Sequence, residues 1–254
     1  QVKKYLQYTD NYEFVMNEIY DKLENIIENY AKGIELYDNN IYMDIDGLIS
    51  SGTENTQNTW MDAKYAGIAV TPRNGKAVEI NAMWYNALKI MQELALKKGE
   101  KEKAKKYEKM ANKTKNSFET KFYNKRRKCL YDVLGDNKIR PNQLFALSLT
   151  YPVLNPASEE AKEMVETVTK KLLNNYNLTT LYQEDLSNIE NSSNAIPFVI
   201  GMLQIDKINL CYPILSEVSD DLLKISICRF TGPMPNEIGN LCIVGPNFID
   251  NCFF

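Results

Sequence analysis

A chain of 254 residues, 44% hydrophobic and 25% charged, is long enough to bury one substantial core. Its formal charge is −3 with lysines and acids interleaved, so it offers no basic patch and nucleic acid is not an expected partner. Histidine is absent, which removes Ser-His and Cys-His nucleophile pairs and histidine zinc sites and leaves carboxylates, Lys, Tyr and Arg for any chemistry.

Five cysteines (Cys129, Cys211, Cys228, Cys242, Cys252) stand far apart without metal-site spacing and read as reduced thiols of a cytoplasmic protein. No apolar run is long enough to span a bilayer, and no signal-peptide pattern opens the chain, so no membrane partner is expected. The first residue is Gln1, inside a helix-like stretch from Val2 to Tyr8, which reads as the middle of something longer.

In chain order, Asp10 and Glu13 have the form of a capping box. Val15, Ile19, Leu23, Ile26, Ile27 and Tyr30 then recur at helical spacing up to Gly33. A second helix is predicted from Val78 to Lys98, with Ile80, Met83, Trp84, Ala87, Leu88, Met91 and Leu94 as its apolar face and Gly99 closing it. A third, from Lys101 to about Tyr123, carries Ala104, Tyr107, Ala111, Thr114, Phe118 and Phe122, with lysine and glutamate on the solvated side. Asn142 to Tyr151 is a shorter apolar helix, and Ser158 caps another through Met164, Val165, Val168 and Leu172.

Long connections run from Tyr37 to Ala77 and from Lys125 to Pro141, the second with room for a hairpin around Gly135-Asp136-Asn137. Helices separated by long loops predict an all-α fold, a helical toroid or an α-solenoid, and the lack of a fixed-period repeat counts against a simple solenoid. Pro213, Pro233, Pro235 and Pro246 break up the tail, and no element is assigned beyond Leu203.

Trp60 and Asp62, in Thr59-Trp60-Met61-Asp62-Ala63-Lys64, lie in the long loop before the second helix and outside any periodic apolar face. An indole beside an acid suits a sugar site, the ring stacking on a pyranose face and the carboxyl meeting a hydroxyl. Local sequence alone favours the simpler reading, a core tryptophan beside a helix-capping aspartate. Gly75 marks a tight turn, and Glu79 and Asn81 fall in the first helical turn, where the dipole favours an acid with or without a ligand. Arg140-Pro141-Asn142-Gln143 is again a loop ending in polar groups at a helix start.

Thr59-Trp60-Met61-Asp62, the strings from Thr71-Pro72-Arg73 through Gly75-Lys76-Ala77-Val78-Glu79-Ile80-Asn81-Ala82 to Leu88, and Arg140 to Leu149 resemble the C-terminal glucosidase module of glycogen debranching enzymes, as does Tyr5-Leu6-Gln7-Tyr8-Thr9. The clear similarity covers roughly Tyr5 to Leu181, with 182–254 as a divergent tail of one partial domain. The resemblance implies an incomplete (α/α)6 toroid that removes α-1,6-linked glucose from branched α-glucan such as glycogen, by inversion, without metal or cofactor. In such enzymes two carboxyl groups about 6.5–9.5 Å apart share the work, one protonating the leaving oxygen and one activating water. By resemblance Asp62 is the general acid, its pKa raised by partial burial beside Trp60. Trp60, Arg73, Lys76, Glu79, Arg140, Asn142 and Gln143 would line the pocket.

Three departures qualify that expectation. An arginine of the family is Thr179 here, and a histidine-containing loop is missing between Glu184-Asp185 and Ala195-Ile196-Pro197-Phe198. The segment matching the family's general-base glutamate, Ile225 to Gly232, has no carboxylate, and Glu217, Asp220, Asp221 and Glu237 do not align with it. The family's first toroid helices precede the start of this chain, so the remainder of a parent chain is an expected partner. The expectation is therefore an impaired glucosidase module, with a non-catalytic glucan-binding protein or a helical protein-binding scaffold as alternatives.

Overall fold

The computed structural model describes residues 1–36, 39–54, 56–62, 64–65, 68–69, 71–173, 199–205, 210–218, 220–223, 226–231 and 241–245. The chain divides into two units, Gln1–Leu186 and Ser187–Phe254.

In the first unit α1 (Val2–Thr9) ends where Asp10 takes φ 48 and returns its N–H to the Leu6 carbonyl. Asp10 therefore closes one helix instead of opening the next. Asn11 is the cap of α2 (Tyr12–Phe14), its Oδ1 accepting the Phe14 N–H at 3.0 Å. A π-helical turn, Val15–Ile19, leads into α3 (Tyr20–Lys32), which Gly33 closes. The π turn inserts one residue, about 100° of rotation, so the face read at constant spacing is displaced. Tyr20 and Ile27 go inside, while Ile26 is left 52% exposed.

α4 (Val78–Lys98) and α5 (Lys101–Lys121) form the predicted pair, with Gly99 in a left-handed turn at φ 85 between them. The α4 face is rotated from the expected one. Ala82, Trp84, Tyr85, Leu88, Met91, Leu94 and Ala95 are buried and Met83 is exposed. On α5 the buried set is the predicted one, Ala104, Tyr107, Ala111, Thr114 and Phe118. The helix expected over Asn142 to Tyr151 is shorter, a 3-10 turn Pro141–Leu144 followed by α6 (Phe145–Ser148). Ser158 caps α7 (Glu159–Leu172) as predicted, accepting from the Ala161 N–H.

The fold is mainly helical but not all-α. The connection read as loop holds an antiparallel sheet of β1 (Ile34–Leu36), β2 (Asn39–Met43) and β3 (Ile49–Ser51), then a pair, β4 (Lys64–Tyr65) with β5 (Ile68–Ala69). Strands this short show too few alternations to be separated from loop by pattern. The hairpin placed around Gly135 lies earlier, β6 (Tyr123–Asn124) against β7 (Cys129–Leu130). Asn124 Oδ1 accepts the Arg126 and Arg127 N–H groups in its turn, and Gly135 serves a separate turn at φ 90.

In the second unit β8 (Val199–Ile205), β9 (Leu210–Leu215), β10 (Ile227–Thr231) and β11 (Cys242–Val244) form one sheet, β9 and β10 running parallel. Pro213 stands within β9 opposite Met202 instead of breaking the chain, and its carbonyl accepts from Ser226 Oγ at 2.6 Å. Pro233, Pro235 and Pro246 lie outside the described residues, as do Thr179, Leu181, Glu184-Asp185, the Ala195 to Phe198 run, Glu237 and Cys252. Cys129 and Cys228 are buried and Cys242 is exposed, each outside any disulfide.

Two contacts fix the first sheet on the helices. Asn81 is fully buried; its Oδ1 accepts the Ile49 N–H at 2.7 Å and its Nδ2 donates to the Ile49 carbonyl at 3.1 Å, so the amide acts as the next strand for β3. The turn between β2 and β3 sits on α5, where Thr114 Oγ1 donates to the Gly47 carbonyl and Ser117 Oγ to that of Asp46. Gly47 is required there, because its φ is 84 and an added Cβ would come within 3.0 Å of Lys113 Cγ. Lys76 Nζ joins Asp44 (2.6 Å) to Asp46 (2.8 Å), and Lys121 adds a bond to Asp46 at 2.5 Å.

Asn81→Ala strands the N–H and C=O of Ile49 in the core and should lower unfolding free energy by about 2–4 kcal/mol, read from the urea midpoint at unchanged slope. Burial works against the Asp46 carboxylate, but Lys121, Lys76 and the Leu48 N–H outweigh it and hold its pKa at about 2, below the usual 3.8. A depressed folded pKa stabilises above the unfolded value. The advantage of the wild type over Asp46→Asn should thus be full above pH 4, about 1 kcal/mol after solvent screening, and vanish as pH falls toward 2. Urea unfolding at a series of pH values reads it directly.

Candidate functional site

Between β3 and β4 the backbone is shaped by small polar contacts. Gly52 takes φ 78, and an added Cβ would sit 2.4 Å from Thr56 Oγ1. Thr56 Oγ1 accepts the Thr53 N–H at 2.7 Å, and Asn58 Nδ2 donates to Ser51 Oγ at 3.0 Å. Over the next four residues burial alternates: Thr59 and Met61 point in, Trp60 and Asp62 point out. Two residues apart on an alternating stretch, the indole and the carboxyl share the outward side.

The inward side is anchored. Thr71 Oγ1 donates to the Met61 carbonyl at 3.1 Å. Asn142 Nδ2 donates to Met61 Sδ at 3.4 Å, while Asn142 Oδ1 accepts from Trp60 Nε1 at 3.0 Å. Trp60 is therefore 55% exposed yet fixed at its polar edge. Asn142 is placed by the 3-10 turn, whose Pro141 stands where no helical N–H is needed.

Beneath Asn142 lies a buried ion network centred on Asp132, which is 1% exposed. Its Oδ2 accepts from Arg73 Nε (2.7 Å) and from an Arg140 terminal nitrogen (2.7 Å). Its Oδ1 accepts from Arg73 Nη2 (3.0 Å), on the same guanidinium edge as Nε, and from Asn142 Nδ2 (2.9 Å). Arg73 also pairs with both oxygens of Glu79, at 2.5 and 2.6 Å. Two cations thus face two anions in a water-poor interior, the arrangement in which a buried charge is tolerated. Burial weakens the hold of Arg73 on its proton, but Glu79 and Asp132 outweigh it and push its pKa above the ordinary value. The Asp132 carbonyl accepts the first N–H of α4, that of Val78, at 2.9 Å, so the network sits at the N-terminus of that helix.

The residues expected to line a pocket are distributed accordingly. Trp60, Arg73, Glu79, Arg140, Asn142 and Gln143 come together, but all except Trp60 lie under the loop, buried against internal partners. Gln143 takes the Leu130 N–H on Oε1 and gives its Nε2 to the Arg140 carbonyl. Lys76 is elsewhere, on Asp44 and Asp46. Asp62 is exposed, which corrects the expectation of partial burial beside Trp60. The alternation turns it outward, and the indole is tied at its polar edge to Asn142. A shallow concavity of about 440 Å³ lies away from this loop, along α1, α2 and the π turn, lined by Tyr5, Tyr8, Phe14, Val15 and Ile19.

Asp132 is the member that sequence reasoning missed. Its signal was one acid inside the apolar run Leu130-Tyr131-Asp132-Val133-Leu134, where only a paired carboxylate can be buried. The carboxylate-free segment is in part β10, whose Ile227 and Cys228 are buried, and Glu217 is exposed. Gly232 lies outside the described residues, as does Ala63. Among the described residues no cluster of His, Cys, Asp and Glu is fit to hold a metal ion, and no helix is long and apolar enough to cross a membrane.

No curated protein matches this chain. A GH78 family rhamnosidase of Bacillus sp. GL1 is similar at 15% identity and a TM-score of 0.49, over 66% of this chain and 16% of that one, too distant to carry an argument. The pattern of amylo-alpha-1,6-glucosidase matches residues 1–195, which include both the Trp60 loop and the whole Asp132 network. The chain belongs to the amylo-alpha-1,6-glucosidase family.

Proposed function

We propose that this chain is a glucan-contacting part of an α-1,6-glucosidase module, cytoplasmic, acting on branched α-glucan such as glycogen. The observation that carries the reading is the outward pair Trp60 and Asp62 above a buried network that immobilises the indole. An aromatic ring held at its edge offers a flat apolar face to a pyranose with little entropy left to lose. Successive helical pairs joined by loops fit an incomplete (α/α)6 toroid, with the loops before α4 and α6 at one end of it.

In the inverting scheme Asp62 would protonate the leaving oxygen while a second carboxylate activates water. Two observations support a low turnover. Asp62 stands in solvent, whereas an effective proton donor works from an enclosed site. The segment corresponding to the base has no carboxylate, and a general base is worth roughly 10²–10⁴-fold. These same observations favour a second reading, a glucan-binding protein that has lost catalysis.

Titration with a maltooligosaccharide bearing one α-1,6-linked glucose separates the readings. Binding is expected, and Trp60→Ala should weaken it about tenfold, equivalent to about 1.4 kcal/mol. Slow glucose release that Asp62→Asn abolishes while binding stays within about twofold supports the impaired enzyme, since only a transition-state contact behaves so. Binding without release supports the second reading. A wild-type chain that binds no such sugar, or one whose release is rapid and untouched by Asp62→Asn, sinks the assignment of this loop.

A further inference from the structure

The geometry assigns Asp132 as the positioning residue of Trp60, acting through the side-chain amide of Asn142. The assignment rests on the reading of Trp60 as a sugar platform and adds the group that sets its orientation. An asparagine amide presents a donor on one side and an acceptor on the other, and its neighbours decide which way it points. Trp60 Nε1 can only donate, so it needs Oδ1 of Asn142 on its side, 3.0 Å away. The opposite side of Asn142 faces Asp132 Oδ1 at 2.9 Å. An ionised carboxylate can only accept, so it draws Nδ2 toward itself and turns Oδ1 toward the indole.

Asp132 is in turn kept as an accept-only group by Arg73 and Arg140, which supply charged donors to it. The order of hydrogen bonds therefore runs from the arginines through Asp132 and Asn142 to the exposed ring, with each donor and acceptor fixed by the one before. None of the intervening groups touches solvent appreciably, so water cannot substitute for a wrong orientation.

This relay makes a specific expectation for Asp132→Asn, a change of nearly equal shape. The new amide must place its oxygen where Oδ2 was, because two arginine nitrogens donate there. Its NH2 then occupies the Oδ1 side and meets Asn142 as a donor. Asn142 must turn over, presenting Nδ2 to Trp60 Nε1, and two donors face each other. The indole loses its anchor although nothing touching it has been changed.

The test uses the indole N–H groups of the chain's two tryptophans, resolved by ¹⁵N NMR, with Trp84 as internal reference. Trp84 Nε1 is buried without a hydrogen-bond partner, so its signal reports the core and not the relay. Solvent exchange of the Trp60 N–H should speed up about tenfold in Asp132→Asn and in Asn142→Ala, the factor carried by one ordinary hydrogen bond. In the double variant Asp132→Asn should add nothing to Asn142→Ala, since its effect passes through that residue. A merely structural aspartate predicts the opposite pattern: lower stability with Trp60 exchange unchanged, or additive effects, and either result overturns the assignment.

Should Asp132→Asn not fold, Asn142→Ala leaves the ion pairs intact and tests the last step of the relay: unchanged Trp60 exchange removes the relay, and a tenfold rise sustains that step. The exchange measurement needs no sugar. A wild type that binds no maltooligosaccharide therefore defeats the glucan reading, while unaltered exchange in these variants defeats the role of Asp132, and the two failures are told apart.

Discussion

Four charged side chains closed off from water at the base of one loop set the terms for the first unit. Arg73, Glu79, Asp132 and Arg140 are each at most 3% exposed, and Asp132 pairs with both arginines while Glu79 pairs with Arg73. Removing one partner from such a set leaves an uncompensated buried charge, at a cost of roughly 3–5 kcal/mol. The network therefore demands that the turn before α4 meet, in one register, two neighbouring stretches that follow α5: the run after β7 and the 3-10 turn at Pro141. Each also supplies backbone contacts, Val78 N–H to the Asp132 carbonyl and Leu134 N–H to the Lys76 carbonyl among them. Misplacing any of the three breaks hydrogen bonds and ion pairs together. That is a stringent condition on where Trp60 and Asp62 can be.

The helices were legible because their signals are long and redundant. In α5, Ala104, Tyr107, Ala111, Thr114 and Phe118 repeat over about four turns, so no single residue decides the reading. Gly99 and Ser158 were legible for a different reason, since each solves a steric or hydrogen-bonding problem that few residue types can solve. The displaced face of α3 was not legible, because the inserted π residue leaves the composition of the segment unchanged. The short strands β2 and β3 owe their existence to Asn81 and to the turn seated on α5, contacts made across more than thirty residues of sequence. Local pattern has no access to such partners.

For the candidate site, the strings around Trp60, Arg73 and Arg140 carry polar groups that the structure gathers into one place. Sequence gave no means of telling which of these groups face a ligand and which hold the scaffold. The same guanidinium serves a sugar hydroxyl or a buried carboxylate equally well, and the difference lies in whether Asp132 is beneath it. Asp62 shows the converse problem. An acid next to an indole suggests enclosure, but strict in-out alternation over Thr59 to Asp62 puts both residues on the open side.

The division between the buried network and the exposed pair bears on how function can be lost within such a module. On the reading proposed for this loop, sugar contact through Trp60 would depend on the Asn142–Asp132 network of the first unit. Proton transfer from Asp62 would depend besides on enclosure and on a second carboxylate, and Asp62 itself is exposed. On that reading, loss of the second set of requirements leaves untouched the described hydrogen bonds that join Trp60, Arg73, Glu79, Asp132, Arg140 and Asn142. Catalysis would then decay while the platform stays intact. Binding would fail when the ion network itself is breached, and at that point folding of the unit is at risk as well.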